Sequence, residues 1–353
     1  MKEKILIAMS GGVDSSVAAL LTKKEADVMG VTMRLLEGLT SLTAPSLADE
    51  EDARAVADKL NIPFRVLDMS AEFRREVMER FVSAYQRGWT PNPCVECNRF
   101  IKFGALQQAG EAMGCGMVAT GHYVRKGQDP DTGRYFVRRA ADLSKDQSYM
   151  LYGLSQEELS KSIFPLGEMD KAAARSLAEE NGLITSRKKD SQDICFVRDE
   201  SYADFIERYT GLSFPEGDFV DESGKVLGRH KGVIRYTIGQ RKGLGLALPA
   251  SMYVLKLDME NNRVILGFDQ DLFSDTMELC DINLMKVPKL ESPVRAMVKA
   301  RYAHRGAMAT VEQTDDDRIR IIFDEPQRAL TMGQAAVIYD GDDVLGGGTI
   351  CRV

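Results

Sequence analysis

Two short segments of this chain carry groups that could do chemistry. The first, Ser10-Gly11-Gly12-Val13-Asp14-Ser15-Ser16, follows an apolar run and precedes Val17-Ala18-Ala19-Leu20-Leu21, which reads as a helix. Its glycines let the backbone approach an anion, and the amides of a helix start, with the Ser10, Ser15 and Ser16 hydroxyls, supply donors. The predicted use is a phosphate cradle. It lacks the lysine of a Walker loop, so γ-phosphoryl transfer is not implied. Asp14 is a poor neighbour for phosphate unless it caps the helix or holds a magnesium ion. In the second segment, Thr90-Pro91-Asn92-Pro93-Cys94-Val95-Glu96-Cys97-Asn98, two thiols stand just before a helix predicted to begin near Arg99. Prolines keep the approach stiff and extended, and a thiol at a helix N-terminus has a stabilised thiolate. Cys97 is therefore a candidate nucleophile, although the pair alone also suits a zinc half-site or a dithiol redox couple. Cys195 lies far along the chain and, taken alone, reads as a buried small hydrophobe. Cys115, Cys280 and Cys351 sit among apolar or small residues and are assigned to structure.

The elements that must position these groups alternate in type. Residues 4–9, 28–33, 64–67 and 117–120 read as buried strands, and 49–60, 71–86 and 100–113 carry helical periodicity. Strand, helix, strand repeated in this way predicts an α/β fold with a parallel sheet covered on both faces, its ligands beyond the carboxyl ends of the strands. After about residue 209 glycine-rich connections break the chain up. Beyond Phe273, alternating runs at 294–300, 308–313, 318–323, 335–339 and 344–351, separated by turns such as Asp340-Gly341-Asp342, predict a small antiparallel barrel. Three domains are expected, near 1–209, 210–272 and 273–353.

Composition narrows the class of partner. The 353 residues, 44% hydrophobic and 28% charged, describe a folded protein, and the net charge of −7 argues against a generic polyanion binder. Yet Ser223 to Lys256 holds Lys225, Arg229, Lys231, Arg235, Arg241, Lys242 and Lys256 and no acidic residue. That stripe is either a solvated face or a contact for the phosphates of one specific nucleic acid. The apolar run at 5–9 is too short for a signal-peptide core, and no stretch approaches the ~20 apolar residues of a membrane helix. A cytoplasmic location with reduced cysteines is expected.

The loop string resembles the pyrophosphatase-type loop of ATPases that split ATP between its α and β phosphates. Together with Thr90 to Lys102, Ala119-Thr120-Gly121-His122-Tyr123, Lys145-Asp146-Gln147-Ser148-Tyr149, Ile194-Cys195-Phe196 with Asp193 before it, Gly239 to Gly245, and Arg301-Tyr302, it makes the chain resemble the tRNA-specific 2-thiouridylases over nearly its full length. The resemblance implies a Rossmann-like domain, a small central domain and a C-terminal β-barrel. It implies that ATP, with Mg2+, adenylates the C2 oxygen of the wobble uridine in the tRNA anticodon loop, and that sulfur then displaces AMP. Ala8, Met9, Ser10 to Ser16, Met33 and Gly121 fall where the family holds the nucleotide, with Asp14 positioning pyrophosphate. Asn92, Pro93 and Cys94 fall at the target base, and Lys145, Asp146, Gln147, Arg301 and Tyr302 at the tRNA. Cys195 would take a persulfide from a sulfur-donor protein and Cys97 would attack or resolve it, leaving a disulfide between them.

Many members have Asp where this chain has Cys94. Cys94, Cys97 and Cys195 could thus hold a 4Fe-4S cluster with one open iron position, the alternative to the persulfide route. ATP-dependent amidation on the same loop, and RNA binding without catalysis, are the competing classes. A monomer is expected. His122, His230 and His304 have no metal-ligand spacing and read as structural or RNA-contacting, and Arg187-Lys188-Lys189 reads as a phosphate-binding strip or solvated charge.

Overall fold

The computed structural model describes residues 4–36, 47–188, 194–197, 200–248 and 250–353; Lys189 and Asp193 lie outside them. Strands β1 (Lys4–Ala8), β2 (Asp27–Arg34), β3 (Phe64–Asp68) and β4 (Met117–Ala119) pair in parallel in the order β3-β2-β1-β4. A hairpin of β5 (Val124–Gln128) and β6 (Tyr135–Arg139) follows, and then β7 (Ser162–Ile163) joins the outer edge of β4. The apolar run of β1 is buried on both faces because its side chains alternate. Ile5 and Ile7 pack with α1 (Val13–Glu25), α2 (Leu47–Lys59) and the helix Lys171–Glu180. Leu6 packs on the opposite side with Phe73, Phe81, Ile101 and Leu106. The β1–α1 junction lies where the strand order reverses, the position at which such sheets bind ligands.

The helix carrying the cysteines begins earlier than predicted. It starts at Pro93–Glu96 and continues through Cys97–Ala105 and Leu106–Ala112. Asn92 is its cap, accepting from the Cys94 amide at 3.2 Å, and Pro93 fits the first turn because its missing N–H would have had no partner there. Cys94 and Cys97 are thus both helical residues.

The central sheet, β8 (Gly217–Asp221), β9 (Val226–His230), β10 (Tyr253–Asp258) and β11 (Arg263–Gly267), has the order β10-β11-β8-β9. Its Phe219, Val254 and Leu266 share one apolar core with Phe73 and Phe81. The last six strands, β12 (Phe273–Leu284), β13 (Val294–Lys299), β14 (Ala307–Asp315), β15 (Arg318–Arg328), β16 (Ala335–Asp340) and β17 (Asp343–Arg352), form a closed antiparallel barrel, sealed by β12 pairing with β17. The hairpin β5–β6 extends the barrel sheet through Arg138 opposite Asp343, with an ion pair at 2.6 Å. No helix among the described residues is long and apolar enough to cross a membrane.

The barrel grips the segment that carries the thiols. The Thr90 amide donates to the Met332 carbonyl at 2.9 Å, Gln334 Nε2 donates to the Thr90 carbonyl at 2.7 Å, and Arg99 pairs with Asp281 of β12 at 2.7 Å.

Candidate active site

Ala8 ends β1, Met9 follows it, and the chain turns at Gly11, whose φ of +69° favours glycine. A Cβ on Gly11 would collide with the Asp49 carbonyl. No side chain caps α1 at Gly12, so its first-turn amides have no side-chain acceptor at the cap. The hydroxyls behave differently from the sequence expectation that they donate to an anion. Ser15 Oγ donates to the Gly12 carbonyl at 3.1 Å and accepts from the Ser10 amide at 3.1 Å; Ser16 Oγ donates to the same carbonyl at 2.8 Å. They hold the loop's shape, and the backbone is left as the principal donor. Gly121, after β4, packs directly on this turn: a Cβ there would lie 2.7 Å from both Asp14 C and Ser15 N. Met33 ends β2 half-buried.

Asp14 has a partner that the sequence did not signal. Lys171 Nζ donates to both of its carboxylate oxygens at 2.8 Å, and the Tyr123 hydroxyl donates to Oδ1 at 2.8 Å. Lys171 opens a helix far away in sequence, with Asp170 as its cap, and is largely buried, so only the fold brings the cation to the loop. Lys188 closes the other side, pairing with Asp49 and Asp52 at 2.6 Å each. His122 is buried, with Nδ1 2.8 Å from Thr120 Oγ1; burial, aided by nearby Lys102, pushes its imidazole well below the usual range, so it is neutral.

Cys94 is exposed and Cys97 half-buried. The predicted stabilised thiolate is not found at Cys97, which lies one turn into the helix rather than at its start. Burial pushes its thiol up to about 11, against the weaker pull of Lys102. Desolvation is the largest influence on this thiol. With that value, alkylation of Cys97 by iodoacetamide is expected to accelerate about tenfold per pH unit from pH 7 to 9.5, since the thiolate is the reacting species. Mass spectrometry of the labelled peptide measures it, and a rate that levels off below pH 8.5 would contradict it. Between the thiols, Glu96 has a carboxyl shifted upward by burial and a buried Oε2 without a hydrogen-bond partner. Cys195 is half-buried, and it and Cys97 both border the large apolar core that also takes in the central sheet. No three Cys, His, Asp or Glu side chains among the described residues converge as a metal site. Cys94, Cys97 and Cys195 have the soft donors an iron-sulfur cluster requires but not the arrangement.

The two segments expected at the RNA meet across the domain boundary. The Tyr302 hydroxyl reaches the Asp146 carbonyl at 3.5 Å, and its exposed ring stands edge-on to Tyr149 with centroids 5.7 Å apart. Asp146 itself is a builder of the turn, its carboxylate accepting from the Ala140 amide at 3.1 Å and Ser148 Oγ at 2.8 Å. Gln147 Oε1 accepts from the Tyr123 amide at 2.9 Å, and the Lys145 amide donates to the Asp142 carbonyl at 3.1 Å, closing the turn just before it. Arg301 lines a cleft of about 330 Å³ with Thr90, Gly239, Arg328 and Gln334. Sequence reasoning missed Arg328 and Gln334, which have no local motif. The basic stripe is partly neutralised: Arg229 pairs with Asp218 and Arg235 with Asp204 and Glu207, while Arg241 and Lys242 are exposed. His230 is a core residue, fully buried, accepting from the Gly232 amide at 3.1 Å, and His304 Nδ1 accepts from the Ala300 amide at 3.2 Å.

Three domain families match the chain: the tRNA methyl transferase HUP domain over residues 3–199, the tRNA methyl transferase PRC-barrel domain over 203–268 and the aminomethyltransferase beta-barrel domain over 274–350. Among similar curated proteins is the tRNA-specific 2-thiouridylase MnmA of Clostridioides difficile (strain 630), 44% identical over 99% of this chain and 98% of its own. The protein of that name from Lachnoclostridium phytofermentans is 44% identical over 99% of this chain and 100% of its own. A solved NH3-dependent NAD synthetase from Campylobacter jejuni aligns with 54% of this chain and 69% of its own at 18% identity and a TM-score of 0.31, too remote to bear on the argument.

Proposed function

The chain belongs to the tRNA-specific 2-thiouridylase family and is an ATP-dependent sulfurtransferase acting on tRNA uridine, and on that premise we propose how its residues divide the work. ATP lies with its phosphates on the amides of the Gly11–Ser15 turn, near Met33 and Gly121. The supporting observation is the pair of glycines whose added Cβ atoms would meet backbone on both sides of that turn. Lys171 leaves Asp14 for the phosphates when nucleotide binds, and the freed carboxylate is a suitable hard ligand for Mg2+. A bound magnesium ion neutralises phosphate charge.

Uridine enters beside Asn92, Pro93 and Cys94, flipped from a single-stranded loop where extrusion costs least. Its C2 oxygen attacks the α phosphate, pyrophosphate leaves, and AMP becomes the leaving group. The terminal sulfur of a Cys195 persulfide, charged by a sulfur-carrier protein, displaces AMP at C2. Cys97 then attacks Cys195 Sγ, releasing the thiolated base and leaving a Cys97–Cys195 disulfide for an external thiol to reduce. Alternatively Cys97 attacks the persulfide first and sets free the sulfide that attacks C2. Lys145, Asp146, Gln147, Arg301 and Tyr302 shape a surface for the anticodon arm, with Tyr302 suited to stacking and Arg301 to phosphate. All these groups come from one chain, which fits a monomer working on tRNA in the cytoplasm.

The test is mass analysis of tRNA nucleosides after incubation with ATP, magnesium and a persulfide donor. A Cys94→Ser variant should keep at least about half of wild-type turnover, because the two-thiol route does not use that sulfur. Loss of turnover in Cys94→Ser, accompanied by iron and labile sulfide in anaerobically prepared wild-type protein, would favour the cluster instead.

A further inference from the structure

The barrel holds a second pair of thiols that the site above does not use. Leu279 of β12 faces Ile350 of β17, both buried inside the barrel. The register slips beside them: Glu278 pairs with Arg352, so Cys351 is the extra residue of a bulge. Cys280 and Cys351 flank the buried pair on the opposite, outer side of the strands, and both are half-buried. The two side chains are diagonal neighbours across the seam, and the Cys280 thiol is pushed up to about 12 by burial and by the neighbouring Cys351, whose Sγ donates to the Glu278 carbonyl at 3.5 Å. Arg318 Nη1 donates to Cys351 Sγ at 3.4 Å.

We propose that Cys280 and Cys351 form a redox-sensitive modification site, a dithiol that hydroperoxides convert reversibly to an intramolecular disulfide across the seam that closes the barrel. Cys351, whose Sγ the Arg318 guanidinium contacts, supplies the attacking sulfur. Its sulfur takes one peroxide oxygen, the O–O bond breaks, and water leaves with the proton gained. The Cys280 sulfur then attacks the sulfenic sulfur, the S–O bond breaks, and a second water departs. Two thiols lose two electrons and two protons, and one hydrogen peroxide becomes two waters. Diagonal neighbours in a ladder are wider apart than an unstrained disulfide prefers, which makes the bond readily reducible. Closure would occur one residue from Asp281, whose carboxylate holds Arg99 on the cysteine helix and whose φ is +49°.

The experiment treats the full chain with a few equivalents of hydrogen peroxide, alkylates the remaining thiols and maps peptides without reduction. It is run on wild type and on a Cys97→Ser/Cys195→Ser background to exclude exchange with the other thiols. A linked peptide pair containing Cys280 and Cys351, present in both and lost on dithiothreitol, is expected. In Cys280→Ser, Cys351 should instead advance to sulfinic acid. Recovery of both cysteines as separate alkylated peptides overturns the proposal, as does a Cys351 that stays fully alkylatable in Cys280→Ser.

Discussion

Cys97→Ser and Cys195→Ser are each expected to lower 2-thiouridine formation at least about a thousandfold while leaving ATP affinity within about twofold of wild type. A serine hydroxyl can neither carry a persulfide nor resolve one, and its pKa lies far above that of any thiol. The proposed nucleotide cradle is built from the backbone of the β1–α1 turn and from Gly121 packed against it. Pyrophosphate release in the presence of tRNA should therefore persist in both variants, because adenylation precedes sulfur transfer. Single-turnover assays with labelled ATP and nucleoside mass analysis separate the two steps. Undiminished thiolation in either variant would remove that cysteine from the chemistry, and loss of ATP binding in both would mean that the effect is structural.

Gly121→Ala should cost more than tenfold in ATP affinity with little loss of fold. The new methyl would sit 2.7 Å from Asp14 C and Ser15 N and 3.0 Å from Asp14 O, all backbone atoms that have no rotamer to change. Relief requires the turn and β4 to separate by several tenths of an ångström, and overpacking of this kind costs about 1–3 kcal/mol. The displaced atoms belong to the amides proposed to face the phosphates, so the strain falls on the binding surface itself. Calorimetry of ATP binding to tRNA-free protein, beside a thermal melt, measures both quantities. Wild-type affinity in a folded Gly121→Ala protein would place the phosphates elsewhere.

The parallel sheet and its loop were legible because β1 is a short run, apolar after Lys4, that gives way within two residues to glycines, a signal that depends only on neighbours in sequence. The barrel was legible for a related reason, the alternation in β13 to β17. β12 escaped notice, since Glu278, Asp281 and Asn283 interrupt its pattern and Asp281 adopts a positive φ. The start of the cysteine helix was misread because Pro91 and Pro93 suggest extended chain, whereas proline after an asparagine cap is an equally good opening. The upward shift of the Cys97 thiol was not legible for a different reason: it comes from burial, which is a property of packing and not of neighbours in sequence. Lys171 had no signal at all, for nothing near it marks a residue destined for Asp14. The charge stripe overstated the basic surface, as Arg229 and Arg235 find carboxylates once folded.

The bonds from Met332, Gln334 and Asp281 to Thr90 and Arg99 set a limit on modularity. A barrel that merely recognised an RNA could be transplanted onto another enzyme, or deleted at the price of affinity alone. Here it completes the footing of the helix proposed to carry the nucleophile, so a chimera carrying a foreign barrel would loosen that helix along with its new specificity.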